Sequence, residues 1–396
     1  MENNFTKNFE NTVKTSYSEF GKEGKELKNW GIAKYKGKPI EFYSDPTFIK
    51  EYFSDPILDH LKEKKIDPSK TLELVDFGGG DGVLISTLLK QLKDEDYNNI
   101  HGLNIDYTLK NLEKMKQSFT GEDKINMVQA DITELPIKNN SVDIATSRHV
   151  IQYFGKKDQI QFLRNIFDSL KSESFFAMKW PGANNPEQSQ ILTDFYAKTF
   201  AICTGESSEK VAENKYFTSY QEVEKIVKDI GFKIINSGKC SAELGITAEG
   251  FFDRFNLTDE QKKDIKNIFE NFYEQYKDHS DVFEMTKDEN DTIYIIQHHN
   301  YMHLEKGPKF NFVEIEEKQF NYDDQGFVEF GSVAMSLLEQ QAQYASRYAD
   351  DLDNDYPNLG EGLNIKGGCD NYRDMKIHKD DIVEFVKKVR EYKENR

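Results

Sequence analysis

The chain has 396 residues, enough for two or three domains with a sizeable core. Its 52 basic side chains against 70 acidic ones leave a net charge of −18, which disfavours the wrapping of nucleic acid. Cys203, Cys240 and Cys369 lie far apart and form no CxxC pair, so neither a disulfide framework nor a zinc site is predicted. The polar N-terminus and the lack of a long apolar run predict a cytoplasmic chain with no membrane span.

The first seventy residues precede the first predicted strand of the main sheet and are rich in aromatic side chains. Within them Pro46 follows Asp45 at a position that suits the first residue of a helix. We therefore predict that residues 1–70 form a small helical cap packed on the core. A lid over a ligand site is the alternative function of this segment.

A glycine-rich turn follows the first predicted strand. The apolar run Leu72–Phe77 predicts a buried parallel strand. Glycines follow at positions 78, 79, 80 and 82, and from Val83 apolar residues recur at the three- and four-residue spacing of a helix face. Strand, glycine turn and helix in this order are typical of a ligand site at the carboxyl edge of a doubly wound sheet.

The spacing of these glycines indicates which ligand the turn binds. A dinucleotide fingerprint would need a glycine where Val83 stands, and a P-loop would need Gly-Lys-Ser/Thr after its glycines. Residues 76–82 instead read D-x-G-x-G-x-G, which resembles the first motif of the class I S-adenosylmethionine-dependent methyltransferases. The resemblance implies that the glycines lie under the methionine and ribose parts of the cofactor. A glycine-rich turn without a ligand is the alternative.

The second predicted strand, Ile100–Asp106, ends in two polar residues that bear on the cofactor site. In the family an acidic residue at the tip of this strand accepts hydrogen bonds from both ribose hydroxyls. Asn104 stands at that place, and its amide oxygen is a weaker acceptor than a carboxylate. Asp106 lies on the same side of the strand and is either the substitute acceptor or the N-cap of a helix predicted at residues 107–119.

The third predicted strand, residues 125–130, is followed by Asp131 and Ile132. In the family such an Asp commonly binds the exocyclic amine of adenine, and its apolar neighbour packs on the ring. A turn or cap role is the alternative for Asp131. The residues that the resemblance implies as cofactor contacts are Asp76, Phe77, Gly78, Gly79, Gly80, Gly82, Asn104, Ile105, Asp106, Asp131, Ile132 and Arg148.

The alternation of strands and helices predicts an α/β fold with a parallel, doubly wound sheet. The resemblance implies a Rossmann-like sheet of seven strands over residues 71–306, whose last strand, at 292–297, runs antiparallel between two parallel ones. We predict helical insertions around residues 184–216 and 245–290. The further predicted elements are strands at 142–147, 174–179 and 232–235 and helices at 157–170, 184–204, 217–230 and 258–276.

A boundary is predicted at Gly307 and Pro308. Residues 309–396 fit no known motif and contain predicted helical stretches at 331–349 and 379–393. We expect a small appended domain, or an arm that packs on the core or on a second subunit. A homo-oligomer formed through this segment is thus one alternative.

Polar side chains after the fourth predicted strand are candidates to meet a methyl acceptor. Methyl transfer needs an in-line nucleophile, and a general base only if the acceptor must lose a proton. This stretch resembles the one that carries the catalytic His of small-molecule O-methyltransferases, although Gln152 aligns with that His. We predict His149 and Tyr153 as catalytic residues; the alternative for His149 is a buried, hydrogen-bonded histidine. His298, His299 and His303 are interpreted as surface or core side chains, and no metal is predicted.

The motifs also restrict the substrate class. The sequence after the fourth predicted strand lacks the Asn-Pro-Pro-Tyr of base amino methylation, and no cysteine nearby would serve cytosine ring methylation. We expect S-adenosylmethionine-dependent methylation of a small molecule. The alternatives are an inactive methyltransferase-like binding or scaffold protein, a protein methyltransferase, and a nicotinamide-dependent oxidoreductase, which the glycine spacing disfavours.

Overall fold

The computed structural model describes residues 33–35, 38–39, 44–118, 125–135, 137–240, 242–279, 283–306, 322–329, 365–366, 376–382 and 384. The chain divides into two compact units, Met1–Ile226 with Ile234–Lys306 and Val227–Lys233 with Gly307–Arg396. Within the described residues, no helix has both the length and the apolar character needed to cross a membrane.

Helices and strands alternate through most of the described chain. The helices are α1 (Pro46–Ile49), α2 (Asp55–Glu63), α3 (Val83–Lys93), α4 (Leu109–Ser118), α5 (Lys156–Ser169), α6 (Pro186–Thr204), α7 (Ser208–Asn214), α8 (Tyr220–Ile230), α9 (Ala248–Arg254) and α10 (Asp259–Tyr276), with a π-helical turn at Lys50–Ser54 and a 3-10 turn at Ile151–Tyr153. The strands are β1 (Ala33–Tyr35), β2 (Lys38–Pro39), β3 (Leu72–Phe77), β4 (Ile100–Asp106), β5 (Ile125–Gln129), β6 (Val142–Arg148), β7 (Leu170–Pro181), β8 (Phe232–Lys239), β9 (Ala242–Ile246), β10 (Met285–Lys287), β11 (Ile293–Gln297), β12 (His299–Lys306), β13 (Phe327–Glu329), β14 (Ile365–Lys366) and β15 (Lys376–His378).

The main sheet has seven strands in the order β5-β4-β3-β6-β7-β12-β8. Strand β3 pairs in parallel with β4 on one side and with β6 on the other. Strand β4 also pairs in parallel with β5, and β6 with β7. Strand β12 runs antiparallel to β7. This is the doubly wound, seven-stranded α/β fold that the sequence predicts, and the glycine turn lies at the carboxyl end of β3, an inner strand of the sheet.

The strand and helix around the glycine turn form where their apolar patterns predict them. Leu72, Leu74 and Val75 of β3 are buried, as expected for a strand covered on both faces. One face of α3 is buried against the sheet through Leu84, Ile85, Leu88, Leu89 and Leu92. The chain can therefore hold the turn between two well-packed elements.

The prediction for the last strand of the main sheet is wrong. Strand β11, within the predicted 292–297 segment, belongs instead to a five-stranded antiparallel sheet of order β10-β11-β9-β1-β2. The antiparallel place beside β7 is taken by β12, whose sequence is HNYMHLEK.

Tertiary contacts explain why polar β12 occupies a buried position. Asn300 and His303 are buried there, and His303 Nε2 lies 2.9 Å from the Tyr52 carbonyl oxygen. Glu305, also buried, accepts a hydrogen bond from Lys64 at 3.2 Å. Partners from distant parts of the chain therefore satisfy these polar groups. A prediction from local pattern does not include such partners, so it favours the β-branched β11 as the strand of the main sheet.

The described part of the first seventy residues contains strands β1 and β2 as well as helices. Helix α1 begins at Pro46, as predicted, and the Asp45 side chain accepts a hydrogen bond from the Phe48 backbone N–H at 2.9 Å. The segment predicted as a helical insertion at 245–290 likewise includes strand β10 beside α9 and α10. The domain boundaries at 70 and 306 stay predictions.

In the second unit, strands β13, β15 and β14 form a small antiparallel sheet. Most of the helix predicted at 379–393 and all of the one predicted at 331–349 lie outside the described residues, as does Cys369.

Candidate functional site

The glycine turn between β3 and α3 depends on backbone conformations that favour glycine. Gly78, Gly80 and Gly82 have φ angles of +72°, +57° and +78°. The backbone N–H groups of Gly78 and Gly79 both donate to the Ile105 carbonyl oxygen, at 2.8 and 3.1 Å. The end of β4 therefore holds the turn against the sheet.

The space beside each glycine separates packing roles from a ligand role. A Cβ at Gly78 would overlap Val150, and one at Gly82 would overlap Met115. At Gly79 it would overlap the Asn104 amide oxygen and the Asp76 carboxylate, whereas a Cβ at Gly80 has no atom of the described residues within 4 Å. Gly80 is therefore the glycine that faces open space where a ligand could approach the backbone.

Asn104 and Asp106 hold Gly80 from both sides. Asn104 Nδ2 donates to the Gly80 carbonyl oxygen at 3.1 Å, and the Gly80 N–H donates to Asp106 Oδ2 at 2.9 Å. Asp106 Oδ1 also accepts from the Thr108 N–H at 2.8 Å and from Asn111 Nδ2 at 3.3 Å. Asp106 thus orders the turn and the start of α4, and its action on a ribose stays a prediction.

Two buried oxygen atoms beside the turn have no hydrogen-bond partner among the described residues: Asp76 Oδ2 and Asn104 Oδ1. Asp76 Oδ1 accepts from the Thr146 hydroxyl at 2.9 Å. Burial raises the pKa of Asp76 to about 7, while Thr146 and the Arg148 guanidinium lower it and Asp106 raises it. Unpartnered buried acceptors are costly, so donors on a bound ligand would satisfy them.

These observations fit the cofactor that the resemblance implies. S-adenosylmethionine carries an ammonium group and ribose hydroxyls, which are hydrogen-bond donors, and it needs close access to backbone. The pair of unpartnered oxygens offers acceptors for these donors, and the open face of Gly80 offers access to the backbone. Phe77 and Ile105 are fully buried, so their side chains support the turn from below.

Asp131 and Ile132 follow β5 at the same edge of the sheet. The Asp131 side chain accepts from the Thr133 N–H at 2.8 Å and from the Thr133 hydroxyl at 2.7 Å, which is the local turn geometry. The Ala130 N–H donates to the Asp106 carbonyl oxygen at 3.2 Å. The backbone thus joins this segment to the tip of β4, and contact with adenine stays a prediction.

His149 lies at the end of β6 in a different environment. It is buried, has a φ of +59°, and places Nε2 3.3 Å from the Lys179 ammonium nitrogen. Its ring centroid lies 4.7 Å from that of His299. Burial, then Lys179, His299 and Arg148, hold the pKa of His149 well below its usual value. His149 is therefore neutral at physiological pH.

Tyr153 points to another environment. Its ring lies 5.2 Å from Lys215 Nζ, which also sits 3.8 Å from the centre of the Phe200 ring. Gln152 is buried, and its amide nitrogen donates to the His149 carbonyl oxygen at 2.7 Å. Among the described contacts, Tyr153 and His149 share no neighbouring side chain. Their catalytic roles stay predictions.

Sequence reasoning missed Lys179. Its side chain is 1% exposed although it lies near the carboxyl end of β7, opposite Arg148 of β6. The available signal was a lysine at the end of an otherwise apolar run, SFFAMK. A charged side chain there reaches the same edge as the glycine turn, which is where a ligand binds in such sheets.

In a comparison with known protein families, residues 75–178, about a quarter of the chain, match the methyltransferase domain family. No curated protein sequence matches the chain. Solved structures with a similar chain course include the YcgJ protein of Bacillus subtilis, at 15% identity and TM-score 0.48, covering 64% of this chain and 98% of its own.

Two more solved structures are similar. Loganic acid methyltransferase with SAH has 14% identity and TM-score 0.47, covering 67% of this chain and 96% of its own. Haemonchus contortus phosphoethanolamine N-methyltransferase 2, in complex with S-adenosyl-L-methionine, has 16% identity and TM-score 0.35. The match covers 66% of this chain and 56% of that protein's chain. At such TM-scores these likenesses carry no functional argument. Residues 75–178 thus match the methyltransferase domain family, and they lie in a seven-stranded sheet of the class I methyltransferase fold; the use of S-adenosylmethionine stays a prediction.

Proposed function

We propose that the chain is an S-adenosylmethionine-dependent methyltransferase that acts on a small-molecule acceptor by in-line displacement. The observation that carries the proposal is the pair of unpartnered buried oxygens, Asp76 Oδ2 and Asn104 Oδ1, beside the open face of Gly80. When bound, S-adenosylmethionine supplies a methyl group on a sulfonium whose leaving group is already activated.

The residues of this chain would then bind and orient. Asp76 and Asn104 would accept hydrogen bonds from the cofactor, and Asp106 would keep Gly80 in place. Asp131 and Ile132 would meet the adenine. Holding two reactants in line supplies much of the barrier reduction for such a transfer, so few catalytic groups are needed.

Buried apolar side chains support a small acceptor. Phe48 lies with its ring 4.1 Å from Lys179 Nζ, and Tyr52 and Phe53 are buried beside it in the core. Apolar walls with a few polar groups are typical of small-molecule sites. An acceptor bound there would be shielded from water, which strengthens its polar contacts.

The first test is calorimetric titration of the full chain with S-adenosylmethionine, S-adenosylhomocysteine and NAD in parallel. We expect binding of the two sulfur compounds alone, followed by transfer of an isotope-labelled methyl group to members of a small-molecule acceptor panel. Binding without transfer to small molecules or to protein substrates would favour the scaffold function. If neither S-adenosylmethionine nor S-adenosylhomocysteine binds, the proposal is contradicted.

A further inference from the structure

Asp76 and Asn104 bring two hydrogen-bond acceptors together under the glycine turn. The two side chains are buried, at 1% and 0% exposure. Asp76 Oδ2 and Asn104 Oδ1 both lie within 3.0 Å of the point that a Cβ on Gly79 would occupy, so they face the same small space. Neither oxygen has a hydrogen-bond partner among the residues that the structure describes.

The remaining polar atoms of the two side chains fix which oxygens face each other. Asp76 Oδ1 accepts from the Thr146 hydroxyl at 2.9 Å, and that hydroxyl has only one proton to donate. Asn104 Nδ2 donates to the Gly80 carbonyl oxygen at 3.1 Å. Rotation of the amide would bring its oxygen against that carbonyl oxygen instead. Asn104 therefore presents an acceptor, and not a donor, to Asp76.

A proton on Asp76 would supply the donor that these two oxygens lack. An ionised carboxylate only accepts hydrogen bonds, whereas a protonated carboxyl also donates one. A hydroxyl at Asp76 Oδ2 would donate to Asn104 Oδ1, and both buried oxygens would then have a partner. Because a buried acceptor without a partner loses its hydration and gains nothing in return, the native state favours this protonated form.

The charged groups around Asp76 come from both neighbouring strands and from the turn. Burial raises the pKa of Asp76 to about 7, while its hydrogen bond from the threonine and the Arg148 guanidinium of β6 lower it, and the Asp106 carboxyl of β4 raises it. In the turn, Asp81 forms an ion pair with Lys114 at 2.7 Å. This balance agrees with a carboxyl that keeps its proton in mildly acidic solution.

The two oxygens lie next to the place where a ligand can approach the backbone. Asn104 contacts Gly80, whose open face has no described atom within 4 Å of a Cβ. S-adenosylmethionine carries an ammonium and a sulfonium group, and positive charge near a carboxyl favours its ionised form. A cofactor at this face would therefore compete with the proton on Asp76.

We propose that Asp76 and Asn104 share one proton in the ligand-free protein, and that this proton passes from Asp76 Oδ2 to solvent when the cofactor binds. As a regulation of the cofactor site, this rests on the proposed function. Hydrogen-bond donors of the ligand then take the place of the proton beside the two oxygens. Because linkage is reciprocal, cofactor affinity rises with pH until Asp76 is ionised in the free protein.

The first measurement is made on the ligand-free full chain, with its aspartates labelled with 13C at the side-chain carboxyl. Asp76→Asn assigns the Asp76 signal in the NMR spectrum. We expect this signal to report a protonated carboxyl at pH 5.5 and to titrate with a midpoint of about 7. An Asp76 carboxyl that is already ionised at pH 5.5 would overturn the inference.

The second measurement titrates the full chain with S-adenosylhomocysteine from pH 5.5 to pH 8, in pairs of buffers that differ in their enthalpy of ionisation. The dependence of the measured heat on the buffer gives the number of protons released. We expect close to one proton per bound ligand at pH 5.5 and almost none at pH 8. The affinity should rise about tenfold per pH unit below pH 7, as for one linked proton, and level off above it.

Asp76→Asn separates the shared proton from other sources of protons. Its amide would donate to Asn104 Oδ1 at every pH, so the variant should bind S-adenosylhomocysteine as weakly as the wild type does at pH 5.5, with no proton release. Asp143→Asn is the matched control, because the Asp143 side chain is 10% exposed on the neighbouring strand β6 and pairs with Lys171. This variant should release the proton as the wild type does.

Proton release that persists in Asp76→Asn would overturn the inference and would indicate Asp106, whose pKa is also raised by burial. Binding of S-adenosylhomocysteine to the wild type without proton release would overturn it as well, while the methyltransferase proposal stands. If S-adenosylhomocysteine binds at no pH in this range, the cofactor proposal fails and the linked proton release with it. The wild-type measurements decide these last two outcomes even if Asp76→Asn does not fold.

Discussion

At the residue scale, the four glycines of the turn differ in what they do. Gly78, Gly79 and Gly82 make room for neighbouring protein atoms, whereas Gly80 alone among them faces open space. Substitution at the first three would therefore disturb packing as well as any ligand. Gly80 is the position at which cofactor binding can be tested with little effect on the core.

Gly80→Val should abolish binding of S-adenosylhomocysteine while leaving a cooperative fold, because its branched side chain would enter the ligand space. Gly205→Val is the matched control: Gly205 has a φ of +74°, a Cβ there would also have no described atom within 4 Å, and the residue ends α6. Both variants should lose about 1–2 kcal/mol from the free energy of unfolding, the cost of a left-handed L residue. Titration calorimetry and urea unfolding measure both effects.

Unchanged affinity in Gly80→Val would contradict the assignment of the turn to the cofactor. Equal loss of affinity in Gly205→Val would mean that backbone strain, and not the filled space, disturbs the site.

At the element scale, helix α10 shows how a local cap also positions a neighbouring element. Thr258 and Gln261 form a capping box, in which each side chain accepts a hydrogen bond from the backbone N–H of the other, at 3.2 and 2.9 Å. Gln261 Nε2 also donates to the Ile202 carbonyl oxygen of α6 at 2.8 Å. The same cap thus begins α10 and ties it to α6.

Thr258→Ala should lower the free energy of unfolding by about 1 kcal/mol, because it removes the oxygen that accepts from the Gln261 N–H. Thr258→Ser keeps that oxygen and should retain most of the stability. Urea unfolding measures the difference, and faster amide exchange in the first turn of α10 should accompany it. Equal stability of the alanine and serine variants would show that the cap contributes nothing.

At the scale of the whole molecule, two buried groups of opposite charge type set a pH dependence. The pKa of Asp76 is raised to about 7, so the native state keeps this proton to a higher pH than the unfolded chain. Its contribution favours the fold below about pH 4 and is lost as the pH rises to 7. The pKa of Lys179 is lowered to about 7, so its penalty is complete below pH 7 and disappears toward pH 10.5.

The variants Asp76→Asn and Lys179→Met should therefore gain stability in different pH ranges. Relative to wild type, the free energy of unfolding of Lys179→Met should increase most at pH 6 and little at pH 10. That of Asp76→Asn should increase little at pH 4 and most above pH 7. Each maximum gain in stability is at most about 5 kcal/mol, from the size of the pKa shifts. Urea unfolding across this pH range measures them. Gains that do not change with pH would show that burial does not control these pKa values.

The sequence by itself determined the central part of the fold and the glycine turn. Strands β3 and β4 form where their apolar runs predict them, and the turn follows from glycines that are close in the chain. These features are local, because strand patterning and positive φ depend on neighbouring residues. The recognition of a methyltransferase domain depended on them and is confirmed.

Only the tertiary structure decided which strand completes the main sheet and which polar groups meet. Polar β12 displaced β11 because Tyr52 and Lys64, far away in the chain, satisfy its buried side chains. Lys179 and His149 are thirty residues apart and meet only because β6 and β7 pair. Such contacts have a free energy set by burial and by distant partners, which no local pattern in the sequence records.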